Sequence, residues 1–390
     1  MTEVPSFLAE PALAAVMATV PEARVVGGAV RDALAGHPIT DIDLATPRTP
    51  EQVTKALQEA GIRVVPTGLD HGTVTAVLGE QRFEITTLRR DVETDGRHAV
   101  VAFTDDWRTD AARRDFTINA MSMARDGEVF DYFGGITDLR AGIVRFVGDP
   151  ATRIAEDHLR ILRYFRFFAR YSAGHADAAA LAAIRASASG LGDLSAERIW
   201  SELSRILAVP DPRATVALMA ELGVLDAAVP EGADAARLTR LVEAGSPADP
   251  LLRLSALLIG DARALAVRLR LSGWERDRLL ALRSGPVPQP NSDDAELRRL
   301  LADECRPVLL DRTWLSGGNA PGWAELRDRL AALPRPVFPV EGRDVLTLGE
   351  PEGPRVGALL REVRRWWLDG GCIASQSECL VELVQRRSRG

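Results

Sequence analysis

Apolar residues follow one period in the first part of this chain and another in the rest, and the change falls near residue 149. Before it, short β-branched runs at 62–65, 72–78 and 82–87 are separated by turn residues and predict strands. A helical pattern at 7–19 has Pro11 near its start, and a second helix from about Thr49 has Pro50 at its first position and Gly61 after its end. A helix from Asp110, a hairpin-like strand pair around Gly127 and a glycine turn at Gly134 and Gly135 complete this part. Strands mixed with few helices predict an α+β domain. Residues 89–110 are polar, carry both signs of charge and lack a period apart from 100–103, which predicts a mobile loop.

Beyond 149 the period is helical almost throughout. Asp149 and Pro150 read as an N-cap and a first helical residue. Ile154, Leu159, Ile161, Leu162, Phe165 and Phe168 predict the apolar side of one long helix that stops near Gly174. Further helices are expected at about 176–188, 196–208, 213–222, 235–244, 250–259, 261–271, 273–283 and 294–304.

The 390 residues, 46% hydrophobic and 26% charged, suffice for more than one core, so two or three domains are expected. No apolar run reaches the roughly 18 residues of a membrane helix. The start, MTEVPSFLAEPALAAVMATV, lacks a basic signal-peptide region, so a soluble cytoplasmic protein with no membrane partner is expected. Cys305, Cys372 and Cys379 match no zinc or redox spacing and read as reduced thiols. A net charge of −7 gives no general attraction to nucleic acid, so any RNA contact needs a local basic surface. Lys55 is the only lysine; the arginine bias suits bidentate phosphate contact, and a G+C-rich genome produces the same bias. The histidines at 37, 71, 98, 158 and 175 form no phosphohydrolase-type dyad with aspartate, so a second hydrolytic domain is not expected.

Three groups of residues carry chemistry. Residues 25–43, VVGGAVRDALAGHPITDID, place Gly27 and Gly28 after an apolar run, where a tight turn brings bare backbone N–H groups to a phosphate. Asp41 and Asp43, two apart on an expected strand, would share a face, which is costly unless cations lie between them. Magnesium (Mg2+) is the expected cation. Two such ions would activate an attacking hydroxyl and neutralise leaving pyrophosphate, which is nucleotidyl transfer. Glu84, among strand formers, is either a third carboxylate of this site or an exposed strand residue. In the second group, RRDFTINAM, Arg113, Arg114 and Asp115 are expected at a helix start, where arginines need an anionic partner such as a nucleoside triphosphate. Asp115 could accept from a ribose 2′-OH, or simply cap the helix.

The third group is EDHLRILRYFR at 156–166. Asp157 and Arg160, three apart, would share a helical face as a surface ion pair or as something more specific. Cytosine and adenine present an amino donor beside a ring-nitrogen acceptor, whereas uracil and guanine present a carbonyl beside an N–H. A carboxylate with a guanidinium complements only the first pattern, so these side chains could admit CTP and ATP and refuse UTP and GTP. Arg163 and Arg166 continue the face and could reach phosphate or orient the pair.

In this order and at these distances, GGAVRD with its D-x-D, RRDFTINAM, EDHLRILRYFRF and LSAERIWSEL resemble the class II CCA-adding tRNA nucleotidyltransferase and bacterial poly(A) polymerase family over roughly residues 24–210. VEGRDVLTLGEPEGPRVGALL resembles a segment of such enzymes' tails. The resemblance implies a polymerase-β-like nucleotidyltransferase head at 1–148, a helical neck with a nucleotide-selecting helix at 149–210, and a helical body and tail at 211–390 that meets tRNA. It implies that Gly28 and Arg31 contact the triphosphate, Asp41 and Asp43 the metal, Arg114 the nucleotide and Asp115 the ribose. Asp157, Arg160, Arg163 and Arg166 would line the base-selecting site. Residues 89–106 would be the family's flexible loop, Ser195 would cap a helix, and Glu197 and Arg198 would brace the neck. His158 stands where the family usually has a small residue or proline.

The expected activity is addition of C, C and A to tRNA 3′ ends from CTP and ATP. The alternatives are a poly(A) polymerase, disfavoured by a basic tail limited to QRRSRG, and a catalytically inactive RNA-binding protein of the same fold. Oligomeric state is left open by the sequence.

Overall fold

The structure, a computed structural model, describes residues 5–68, 72–94 and 99–389. Its head is built on a seven-stranded sheet that the alternating runs produce. The strands are β1 (Arg24–Val26), β2 (Asp43–Thr46), β3 (Arg63–Gly68), β4 (Thr73–Leu78) and β5 (Gln81–Thr87). After β6 (Arg89–Thr94) and β7 (Ala99–Phe103) come β8 (Met121–Met123) and β9 (Val129–Asp131), and the order across the sheet is β3-β4-β5-β2-β1-β8-β9. Among the described residues only β2 and β5 pair in parallel; their register sets Asp43 opposite Glu84.

One face of this sheet is covered by α1 (Pro11–Thr19) and α3 (Pro50–Glu59). Leu13, Val16, Met17, Val53 and Leu57 pack there against Val25, Leu44, Val74, Phe83 and Ile85. Each such side chain, when fully buried, contributes about 1.5–3 kcal/mol. Along β5, Phe83 and Ile85 are buried while Arg82 and Glu84 are exposed, so the period of two turns Glu84 away from that core. A capping box at Thr49 and Gln52 starts α3 as the sequence pattern requires.

Residues 89–110 depart from the loop expectation. β6 (Arg89–Thr94) and β7 (Ala99–Phe103) form an antiparallel ribbon with a register shift between Asp91 and Glu93, and α4 (Trp107–Ala112) follows. Ribbon pairing rests on backbone hydrogen bonds, for which a polar segment carries no periodic signature. Residues 95–98 of the expected flexible loop lie outside the described residues, as do His71 and His98.

Beyond the sheet come α2 (Gly28–Ala35), which follows β1 directly, then α5 (Gly135–Ala141), α6 (Pro150–Glu156), α7 (Leu159–Tyr171), α8 (Ala178–Ser187) and α9 (Ala196–Leu207). The single long helix expected from 149 is therefore two, α6 and α7. Asp157 breaks it with φ −158° and ψ 108°, and its Oδ1 accepts from the Leu159 N–H at 3.1 Å, a local side-chain bond that competes with helix continuation. Buried on both sides, α7 adds Tyr164 and Phe167 to the expected apolar set, and they join Phe116 and Phe146 in one aromatic cluster.

Two compact units divide after Pro230, and the helix Arg213–Glu221 packs on α7 within the first. The unit from Glu231 onward is helical, with elements at Ala235–Glu243, Pro250–Leu257, Ala262–Arg268, Gly273–Arg283 and Asp294–Asp303 where the pattern predicts them. Asp249, Asp261, Ser272 and Asp293 cap four of these helices. Among the described residues no helix is long and apolar enough to cross a membrane, and the three cysteines are free thiols.

Candidate active site

The first wall of the site is the β1–α2 turn. Gly27 adopts φ +67°, and a Cβ there would stand 2.9 Å from Arg114 Nη1, so both backbone strain and the guanidinium exclude a side chain. α2 then starts at Gly28, which lines the cavity with Gly27 and has no side-chain cap, a helix start of the kind suited to phosphate. Arg31, one turn on, is buried. It donates to Asp32 at 3.0–3.1 Å and to Asn119 Oδ1 at 2.5 Å. Asp32 in turn accepts from the Tyr171 hydroxyl, which fixes the arginine from α7.

The second wall carries the carboxylates. Asp43 opens β2 opposite Glu84, whereas Asp41 lies in the irregular segment before the strand and not on it. All three residues are exposed. The Asp43 carboxylate nevertheless stands among packed atoms at the cavity edge, and this local crowding governs its charge. Burial pushes its pKa up first, repulsion from Glu84 and Asp41 adds to that, and Arg114 opposes it. Asp43 is thus a carboxylate short of positive charge.

Arg113, Arg114 and Asp115 follow the end of α4, not the start of a helix. Arg113 is its C-cap, a single 3₁₀ turn Thr117–Asn119 comes next, and Met121 already belongs to β8. Cations are favoured at a helix C-terminus, so the expected dipole conflict does not arise. Asp110 within α4 takes Arg113 at 2.9 Å and Arg114 at 3.4 Å. Arg153 of α6 donates to the carbonyls of Arg113 and Arg114. Burial lowers the Arg114 pKa, Asp110 counters it, and Arg113 lowers it further, leaving a guanidinium that an incoming anion would satisfy. Asp115 is also buried. Burial would raise its pKa, but Arg163, Asn119 and the Phe116 N–H together hold it below the usual carboxylate range.

α7 and α9 close the site. Arg163 donates from Nε and Nη2 to Asp115 Oδ2 at 2.8 and 2.5 Å. Arg198 Nη2 donates to Asp157 Oδ2 at 2.7 Å, tying α9 to the break between α6 and α7; Ser195 occupies the N-cap of α9 but makes no side-chain cap bond. Arg160 folds onto Glu156 and donates to the Arg153 carbonyl at 2.8 Å. Arg166 pairs with buried Glu202 of α9. His158 packs its ring over Gly190, where any Cβ would collide with it.

A cavity of about 500 Å³ joins these groups. Gly28, Arg31, Asp43, Arg114 and Asp115 line it from the head, and Asp157, Arg160 and Arg163 from the neck. Arg166 does not line it and faces a neighbouring cleft with His37 and Tyr171; Asp41 and Glu84 stand outside its lining. The sequence pattern passed over Asn119 and Phe167, which line the cavity with the expected Gly27, and Glu202, Asp32 and Tyr171, which hold its arginines. The position of Asn119 four residues after Asp115 in RRDFTINAM was the available signal for it.

Comparison with known proteins agrees with this geometry. Residues 23–145 match a family model described as the poly A polymerase head domain, and 177–235 match one described as a probable RNA and SrmB-binding site of polymerase A. The mitochondrial CCA tRNA nucleotidyltransferase 1 of Danio rerio is 39% identical over 377 residues, covering 93% of this chain and 87% of that protein. The chain belongs to the CCA-adding tRNA nucleotidyltransferase family. The CCA-adding enzyme of Geobacillus stearothermophilus is 31% identical over 390 residues, with 94% of each chain covered. The crystal structure of the Bacillus stearothermophilus CCA-adding enzyme in complex with CTP superposes with a TM-score of 0.76 at 28% identity, covering 97% of this chain and 99% of that one.

Membership of a nucleotidyltransferase family implies use of a divalent metal. Among the described residues no three His, Cys, Asp or Glu side chains close into a protein-only metal cage. A small hard cation needs none, since one or two carboxylates with substrate phosphate oxygens and water complete its shell. The crowded, under-compensated Asp43, with Asp41 and Glu84 beside it and the glycine turn lining the same cavity, fits that requirement.

Proposed function

We propose that this chain adds C, C and A in turn to the 3′ end of tRNA, drawing on CTP and ATP, releasing pyrophosphate and using no nucleic-acid template. The observation that carries the reading is one cavity lined at one end by Gly28, Arg31 and Asp43 and at the other by Asp157 and Arg160. The first end suits a triphosphate and the second a base with an amino donor beside a ring acceptor. Asp157 keeps lone pairs beyond those given to Arg198 and the Leu159 N–H, and Arg160 keeps N–H donors beyond those used on Glu156 and Arg153. UTP or GTP would present a carbonyl to Asp157 and an N–H to Arg160, leaving these spare positions unmatched.

Gly28 and Arg31 hold the β- and γ-phosphates, Arg114 reaches the remaining phosphate charge, and Asp115 receives the ribose. Asp41 and Asp43 hold Mg2+, with Glu84 as a third carboxylate. When bound, the metal lowers the pKa of the attacking 3′-hydroxyl and neutralises charge on the leaving pyrophosphate. The 3′ oxygen forms its bond to the α-phosphorus as the bond to pyrophosphate breaks, and the hydroxyl proton passes to solvent. Arg163, tied to Asp115 and reaching towards Glu202, orients the sugar side, and Arg166 supports it from outside the cavity. Head 1–148, neck 149–210 and body with tail 211–390 divide this work, the last part gripping tRNA. The free thiols support a reducing compartment, for which we take the cytoplasm.

The names of the matched head and RNA-binding models keep a poly(A) polymerase as the second reading. Incubation with Mg2+, all four nucleoside triphosphates and tRNA lacking its last three nucleotides separates the two. Products that stop after C, C and A support the first reading; long A tracts, or extension of unrelated RNA, would overturn it.

A further inference from the structure

Asn119 lies in the cavity wall between the triphosphate end and the sugar end. It is buried, and its side chain bridges a guanidinium and a carboxylate. Oδ1 accepts from Arg31 Nη1 at 2.5 Å, and Nδ2 donates to Asp115 Oδ1 at 3.0 Å. A guanidinium only donates and a carboxylate only accepts, so the amide orientation is set by chemistry. Its backbone carbonyl also accepts from Arg114 Nη1 at 3.4 Å. One residue thus touches the three charged head groups assigned to phosphate and ribose, Arg31, Arg114 and Asp115.

Asp115 has no spare acceptor position. Oδ1 takes the Phe116 N–H at 2.9 Å together with Asn119, and Oδ2 takes both Arg163 contacts, which fills about four lone-pair sites. A ribose hydroxyl can reach this carboxylate only by sharing with, or replacing, one of those donors. The Arg163 bonds are charge-assisted and the Phe116 N–H is fixed in the backbone, so the neutral amide of Asn119 is the donor that yields.

We infer that Asn119 is a positioning residue for sugar selection: it holds Asp115 and Arg31 in register and gives way to the 2′-hydroxyl when a ribonucleotide binds. The inference rests on the reading of Asp115 as the ribose contact and Arg31 as a phosphate contact. Aspartate, of the same shape, cannot fill the role when ionised, because it has no proton to give Asp115 and repels it. Protonated, it can accept from Arg31 and donate to Asp115. The charged groups around position 119 are Arg31 and Asp32 from α2, Arg114 and Asp115 from the segment after α4, Arg163 from α7, and Asp138 of α5, which bonds Thr117.

The test is the ratio of kcat/KM for CTP against 2′-deoxy-CTP, measured from about pH 8 to about pH 5, across the range where a carboxylate beside another one titrates. For Asn119→Asp the ribonucleotide preference should fall about five- to tenfold at neutral pH and recover as the pH drops. Asn119→Ala should lose the preference at every pH, and its thermal midpoint shows whether it has folded. A wild-type preference in both variants, or a reduced preference in Asn119→Asp that stays flat across the range, would overturn the inference. Asp115→Asn separates this from the underlying reading: if that variant keeps the full preference, the ribose assignment itself fails. If Asp115→Asn loses it while both Asn119 variants keep it, only the role of Asn119 fails.

Discussion

Arg198 of α9 holds the carboxylate of Asp157 at 2.7 Å across the break between α6 and α7. Asp157 is extended and belongs to neither helix, so its aim depends on this bond and on the Leu159 N–H. Base choice is therefore predicted to depend on a residue of another helix. Arg198→Met keeps the stem and removes the guanidinium; discrimination of CTP and ATP against UTP and GTP should relax roughly tenfold, as expected for one lost charge-assisted bond. Single-turnover incorporation of each nucleotide checks it, and unchanged discrimination would show that Arg198 does not position the selector.

Asp41→Ala or Asp43→Ala should reduce transfer by at least about a hundredfold, the scale of losing a main electrostatic contact to the transition state. Binding of tRNA, measured by gel shift, should stay within about twofold of wild type, because neither side chain forms part of a basic surface. Glu84→Gln has a milder expected phenotype. The Mg2+ concentration for half-maximal rate should rise while base choice stays the same, and an unaltered metal titration would remove Glu84 from the metal site.

The Asp115–Arg163 pair has a stability consequence with a definite sign. The Asp115 carboxyl is held below its ordinary value of about 3.9. Its contribution is thus present above that value and is lost as the pH falls through the folded-state pKa. Arg163→Met should cost about 1–3 kcal/mol at pH 7, reduced by the partial exposure of the guanidinium. The gap from wild type should narrow as the pH is lowered below about 4. Urea unfolding midpoints across this range test it, and a constant gap would mean that the cost is packing alone.

Tyr171 titrates in the opposite sense. Burial and its bond to Asp32 push its hydroxyl up to about 12. This contribution is complete below the ordinary tyrosine value of about 10 and disappears as the pH rises through the folded value. Tyr171→Phe should cost about 1 kcal/mol near neutrality. It should also raise KM for CTP and ATP, because Asp32 loses one of the bonds that fix Arg31. Phenolate absorbance against pH, with the variant as blank, reads the titration directly.

Periodicity and capping chemistry carried most of the secondary structure. The strands at β3, β4 and β5 and the helices beyond residue 230 follow from alternation, Pro at first turns and Asp or Ser caps, all local effects. Where the reading failed, a local signal was overridden or missing. Asp157 ends a helix whose apolar period runs straight through it, because a side-chain bond to the Leu159 N–H replaces helix continuation. The ribbon of β6 and β7 has no period to show.

The sequence by itself determined the chemical types of the site: a glycine turn, two carboxylates two residues apart, the Arg113 and Arg114 guanidiniums and the carboxylate and guanidinium of Asp157 and Arg160. Those types depend on what phosphate, metal and base edges require, and they are written residue by residue. Only the tertiary structure decided who holds whom. Arg163 turned to Asp115, Arg166 turned away to Glu202, and Asn119 came between Arg31 and Asp115. An arginine has several acceptors within reach of its long side chain, and the choice among them is made by the packing of α2, α7 and α9, which brings together residues that no local pattern connects.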